Sequence, residues 1–259
     1  MPGEQVSTGQ EMIRARPPWT CRRPMKSILI LQNLSMDGPA YLATWLAGRG
    51  LPMEVRNTEA GQAFPSSVVG YGALAILGGE MSANDPLPSL RQAEALIREA
   101  VSLGIPVLGH CLGGQLMARA LGGAVRESPA PEIGWQPMQL TDDPEARRWF
   151  GTETEHQVMH WHYESFDLPP GARWLARSAA CPNQAFAIGP HLAMQFHIEV
   201  DADKVVRWAE IGDPKWPQAQ ARHATVQGRD AMIEGISSWI DAHHRLADRV
   251  YETWLGGVR

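Results

Sequence analysis

Short apolar runs alternate with amphipathic stretches through the first half of the chain. Ser27-Ile28-Leu29-Ile30-Leu31 is a continuous apolar run of the kind that buried parallel strands carry. Residues 39–48 then have helical character, and Gly48 and Gly50 can stop that helix. Met53 to Arg56 predicts a second strand, and Ala73 to Leu77 a third that ends on Gly78-Gly79. Residues 88–103 place Leu90, Ala93, Leu96, Ile97, Ala100 and Val101 at helical spacing, with Gly104 as the stop. Ile105 to Leu108 is the next strand and Leu112 to Leu121 the next helix. This alternation predicts an α/β fold: a doubly wound, mostly parallel sheet with helices on both faces. In such sheets ligands bind beyond the carboxyl ends of the strands, where Gly78-Gly79 and Gly109-His110-Cys111 both fall.

The second half reads differently. Residues 135–200 carry short β-like runs broken by Pro and Gly: Gln136 to Leu140, Gln157 to His162 and Leu192 to Ile198. These predict antiparallel additions to the sheet. From Asp201 the pattern is helical again, with a loop near Gly212 to Pro217. Residues 1–24 hold Pro17, Pro18 and Pro24 among Arg14, Arg16, Arg22 and Arg23 without hydrophobic periodicity, and predict a flexible tail. The tail lacks the apolar stretch of a secretory signal. Residues 25–259 then form one domain.

Composition narrows the chemistry. The net charge of −5 gives no nucleic-acid footprint, and no apolar run approaches the roughly 20 residues a membrane span needs. Cys21, Cys111 and Cys181 are odd in number and form no CxxC pair, which argues against a disulfide framework or a thiolate zinc site and for a cytoplasmic setting. One cysteine is then free to be a reactive thiol.

Its neighbours single out Cys111. In Val107-Leu108-Gly109-His110-Cys111-Leu112-Gly113-Gly114-Gln115 a strand runs straight into a helix with cysteine at the junction. The flanking glycines permit the sharp turn of a nucleophile elbow. The sulfur sits at a helix N-terminus, where the dipole and free N–H groups favour negative charge, and the Leu112 N–H can donate to an oxyanion. Nine histidines could serve as base. In Gln195-Phe196-His197-Ile198-Glu199, a strand conformation would put His197 and Glu199 on one face. The glutamate could then orient one imidazole nitrogen while the other faces the thiol.

Together these motifs resemble the class I glutamine amidotransferases. Gly109 to Gln115 is similar to that family's nucleophile motif. Phe196-His197-Ile198-Glu199 resembles its closing His-Pro-Glu, with Ile198 in place of proline. Leu77-Gly78-Gly79 resembles its oxyanion strand, with Glu80 where the family commonly has proline. The resemblance runs from about Lys26 to Asp201 and is closest to stand-alone members related to the glutaminase domain of GMP synthetase. It implies a flavodoxin-like fold and hydrolysis of a glutamine or γ-glutamyl side-chain amide through a cysteine thioester. Cys111 would be nucleophile, His197 base and Glu199 the orienting acid. Gly79 and Leu112 would supply oxyanion N–H groups, and Gln115, Trp161 and His162 would help hold the substrate. The family uses no cofactor or metal here. A separate synthetase could take the ammonia, and a homodimer is open.

Other readings are weaker. His156, His160 and His162 lack a completed zinc ligand pattern. Gly113-Gly114 and Gly122-Gly123 precede no Gly-Lys-Ser/Thr, so neither is a phosphate loop. Trp239 and Trp254 fit core or dimer contacts. An α/β-hydrolase places its acid before the histidine, whereas Glu199 follows His197. A non-catalytic regulatory or binding subunit would have had less reason to keep all three of Cys111, His197 and Glu199.

Overall fold

In a computed structural model, the protein is described over residues 26–256. The proline- and arginine-containing tail and Cys21 lie outside the described residues. The first strands are β1 (Ile28–Gln32), β2 (Met53–Asn57), β3 (Ala73–Ile76) and β4 (Val107–His110), connected by the helices α1 (Ala40–Gly48), α2 (Pro88–Ser102) and α3 (Leu112–Ala120). β5 (Val125–Leu140), α4 (Pro144–Phe150), β6 (Glu155–Phe166), β7 (Arg173–Arg177), β8 (Ala185–Ile188) and β9 (His191–Met194) follow. The chain closes with α5 (Ala202–Ile211), α6 (Trp216–Arg222) and α7 (Arg229–Leu255).

The nine strands form one sheet in the order β2-β1-β3-β4-β9-β8-β7-β5-β6. From β2 to β9 the pairs are parallel, as the strand–helix alternation predicts. From β9 to β6 they are antiparallel, which extends the sheet on the side predicted from the second half. The order 2-1-3-4 is that of doubly wound nucleotide-binding-type sheets, with the switch between outward and inward winding next to β1 and β3.

Alternation along each central strand explains why both faces are covered. Ile28 and Ile30 face Leu42 and Leu46 of α1 and Val250 and Trp254 of α7. Leu29 and Leu31 face Leu90 and Leu96 of α2 and Leu116 of α3. All of these side chains are essentially removed from water, each burial contributing roughly 1.5–3 kcal/mol. A third cluster joins Val205 and Ala209 of α5 and Trp216 of α6 to Trp135 and Met159 of the antiparallel half. It fixes α5 and α6 above the carboxyl end of the parallel strands. Trp254 is a core residue, whereas Trp239 is 41% exposed.

Two expectations need correction. The strand predicted over Leu192 to Ile198 ends at Met194, and His197 lies beyond it in an isolated bridge to Met159. The strand predicted at Gln136 begins instead at Val125, with a register shift between Glu127 and Glu132. That shift lets Pro129 and Pro131 sit where no ladder donor is needed.

Candidate active site

β4 delivers Cys111 to the start of α3 in a strained conformation. Its φ is +49° and its ψ −107°, a left-handed region that side chains other than glycine rarely occupy. Two hydrogen bonds hold it there: Cys111 N–H donates to Met194 O at 2.9 Å, and Gln115 N–H donates to Cys111 O at 2.9 Å. The glycines around it serve close packing. A Cβ on Gly109 would come within 2.7 Å of the Gly113 backbone, and one on Gly113 would strike the Ile76 carbonyl. The sulfur is thereby raised at the carboxyl end of the sheet.

The partner histidine arrives from the far side of β9. His197 N–H donates to Met159 O at 2.9 Å, and His243 Nε2 donates to His197 O at 2.8 Å. These anchors take the place of the continuous strand that the sequence predicts here. His197 Nδ1 donates to Glu199 Oε1 at 2.7 Å, so the pairing holds although the strand has ended. Burial alone would push the imidazole down; the Glu199 carboxylate and the interaction with the Cys111 sulfur outweigh it and hold His197 up, to about 10.

Sequence reading missed the rest of the network. Glu199 is buried and should be destabilised as an anion, but Lys204, then His197 and His110, hold its carboxyl well below the usual range. Lys204 Nζ lies 3.1 Å from Glu199 Oε1 and 2.5 Å from Asp37 Oδ1, and it donates to Gly38 O at 3.0 Å. His110, adjacent to the nucleophile in sequence, points away from it, with Nε2 3.7 Å from Glu199 Oε2. Burial pushes the His110 imidazole down, with Glu199 opposing it. On the other side of the sulfur, Gln195 Nε2 donates to Cys111 Sγ at 3.6 Å, and Cys111 Sγ donates to Trp161 O at 3.6 Å. Gln195 falls at the same two-residue spacing as His197 and Glu199, a signal the sequence did contain.

Two cavities meet at Cys111. Gly79, Cys111 and Trp161 line both. The smaller, about 120 Å³, reaches His197; the larger, about 760 Å³, reaches Gln115 and His162. The Gly79 and Leu112 amides donate to no acceptor among the described residues. The two residues are close neighbours, since a Cβ on Gly79 would come within 2.9 Å of Leu112 Cδ2. Of the proposed substrate contacts, Trp161 is fixed by Nε1–H donating to Asp213 Oδ2 at 2.9 Å. Gln115 is largely committed to the protein, with Nε2 donating to Glu164 O at 3.1 Å. His162 Nε2 pairs with Glu132 Oε2 at 3.2 Å.

Glu132, His160 and His162 bring ligand-type atoms within 4.8 Å of one another among the described residues. The Glu132 carboxylate already accepts from His162 Nε2 at 3.2 Å and Gln184 Nε2 at 2.5 Å. It reads as the hub of a buried hydrogen-bonded cluster. No helix among the described residues is long and apolar enough to cross a membrane.

The two described cysteines make a direct test. Cys181 is fully buried, and burial pushes its thiol up to about 11. Cys111 lines both cavities. Iodoacetamide near neutral pH should alkylate Cys111 faster than Cys181 by about tenfold or more, read by peptide mass spectrometry. Equal labelling would count against an activated Cys111.

The glutamine amidotransferase class-I family model matches residues 42–204. The glutamine amidotransferase-like protein YfeJ of Salmonella typhimurium is 34% identical over 192 residues, 71% of this chain and 79% of that relative. The glutamine-hydrolyzing GMP synthase of Syntrophomonas wolfei is 35% identical over 154 residues, and the match spans 58% of this chain but 28% of the synthase. The crystal structure of a glutamine amidotransferase from Methylobacillus flagellatus superposes with a TM-score of 0.87 at 37% identity, covering 91% of this chain and 96% of that one.

Proposed function

Because the chain belongs to the class I glutamine amidotransferase family, we propose that it hydrolyses the side-chain amide of glutamine or a γ-glutamyl compound through a Cys111 thioester. The observation that carries this reading is the strained Cys111 beside a His197 imidazole that Glu199 orients and holds up. Cys111 attacks the amide carbon as thiolate, and its proton resides on His197. The carbonyl oxygen takes up negative charge, and the Gly79 and Leu112 amides, which donate to no acceptor among the described residues, are the donors assigned to it. His197 then gives its proton to the departing nitrogen. Water attacks the thioester, His197 takes a proton from it, and glutamate leaves with Cys111 regenerated.

The larger cavity suits the acyl portion. Its wall carries Glu127 and Glu164 on one side and Lys215 and Arg222 on another, opposite signs for the α-amino and α-carboxylate groups of a glutamyl substrate. Several relatives are GMP synthases or GMP synthase subunits, which supports a separate synthetase as one recipient of the ammonia. Steady-state glutamate release from glutamine by the purified chain tests the proposal. Turnover by the protein alone is expected well below the enzyme median of about 10 s⁻¹. Turnover near that median without a partner would reject dependence on one, and release that persists after Cys111 is alkylated would reject the thioester route.

A further inference from the structure

The smaller cavity bears on the leaving group. Acid catalysis by His197 requires the departing nitrogen to lie on the His197 side of the scissile bond. His197 lines the 120 Å³ cavity and is absent from the wall of the 760 Å³ chamber. The smaller cavity is therefore where the leaving group goes, and its size and lining describe that group.

Ammonia is water-sized, and a water-sized molecule needs only about 10–15 Å³ of such space. The cavity offers about 120 Å³, room for a substituent of several heavy atoms. Most of its large lining side chains are apolar, Leu34, Met36, Trp161, Trp208 and Ile211, alongside the carboxylates Asp37, Glu80 and Asp213. Trp208 stands edge-on to Trp161 at 5.9 Å and 79°, and edge-on to His197 at 4.7 Å and 79°. These rings make an aromatic corner beside the proton donor. Of the three carboxylates, Asp37 is engaged with Lys204 and Asp213 accepts from Trp161 Nε1 and the Tyr163 hydroxyl, while Glu80 is shared with the larger chamber. The opposite chamber carries charges of both signs. A donor that is zwitterionic at its glutamyl end and apolar at its amine end matches both halves.

Resting on the thioester reading above, we infer that the leaving group is an apolar primary amine, so that the preferred donors are γ-glutamyl alkyl- or arylamides rather than glutamine. The chemistry balances without a further reactant. Cys111 Sγ bonds to the side-chain carbonyl carbon as its C–N bond breaks, and the amine nitrogen takes the His197 proton. Water then supplies the hydroxyl of glutamate and restores the His197 proton. In the ammonium form the departing amine would still be attracted by the faces of Trp161 and Trp208. Run backwards, the same cavity lets an added amine compete with water for the thioester.

The test measures kcat/KM of the full chain for glutamine, γ-glutamylpropylamide, γ-glutamylbutylamide and γ-glutamylanilide. Every donor gives the same thioester, so differences in kcat/KM report acylation and hence the leaving-group side. We expect the alkyl- or arylamides to exceed glutamine by roughly tenfold or more, within the reach of a few buried methylenes. Propylamine added to a glutamine reaction should yield γ-glutamylpropylamide by mass spectrometry. Ile211→Asp, which puts a charge on the apolar wall, should lower the amide-to-glutamine ratio of kcat/KM about tenfold. Glutamine cleaved at ten times the kcat/KM of every amide, with no amine capture, overturns the leaving-group assignment and leaves the hydrolase reading standing. Glutamate released from no donor overturns both.

Discussion

Replacing Cys111 with alanine is expected to abolish glutamate release, lowering turnover by about 10³ or more while the fold persists. The alanine keeps the helix start and the Met194 and Gln115 backbone bonds, so far-UV circular dichroism and the urea midpoint should stay close to those of the parent. His197→Ala should lower turnover by about 10²–10⁴, the usual worth of a positioned acid–base group. The two act on one proton and one bond, so their losses should not add. The double variant is expected to be no slower than Cys111→Ala alone. Retention of a tenth of parental turnover in Cys111→Ala would remove the nucleophile from the mechanism. Losses that multiply in the double variant would mean that His197 works independently of the sulfur.

The parallel half of the fold was legible because its signals are local. Ile28 to Leu31 and Ala73 to Ile76 are apolar in both registers, as strands buried on two faces must be, and glycines close the intervening helices. The antiparallel half was harder. β7 and β8 are only 5 and 4 residues long, and the first part of β5 alternates irregularly around Pro129 and Pro131. α4 has 7 residues, too few for a periodic stripe to stand out.

The site divided along the same line. Cys111, His197 and Glu199 were readable because each belongs to a short motif. Asp37 and Lys204 belong to none. Lys204 lies in an otherwise amphipathic helix, where a lysine reads as a solvated position, and Asp37 follows β1 in a loop. Only the crossing of α5 over the end of β1 brings them to Glu199. Long-range burial of this kind leaves no periodic trace in a single sequence.

That buried lysine carries the second large expectation. Lys204 is fully buried, and burial would push its ammonium down, but Asp37 and Glu199 hold it up. One ammonium thus compensates two buried carboxylates. Lys204→Met keeps comparable bulk and removes the charge, leaving Asp37 and Glu199 with no cation but His197 nearby. Breaking a buried ion pair on one side costs about 3–5 kcal/mol, and that loss is expected at pH 7.5 in urea titrations. Removing one orphaned carboxylate as well, in Lys204→Met/Asp37→Leu, should restore part of it. The pH dependence follows from Glu199, whose folded pKa is depressed below its ordinary 4.5. Its contribution in the parent is present above about pH 4.5 and is lost as pH falls through the folded value. The variant lacks most of that contribution, so its deficit should be widest at pH 7.5 and should narrow in acid. Orientation of His197 should suffer too, because Glu199 would be freer to protonate or turn. A deficit below about 1 kcal/mol at pH 7.5 would mean that water reaches the cluster and screens it. A deficit that stays constant into acid would assign the loss to packing rather than to charge.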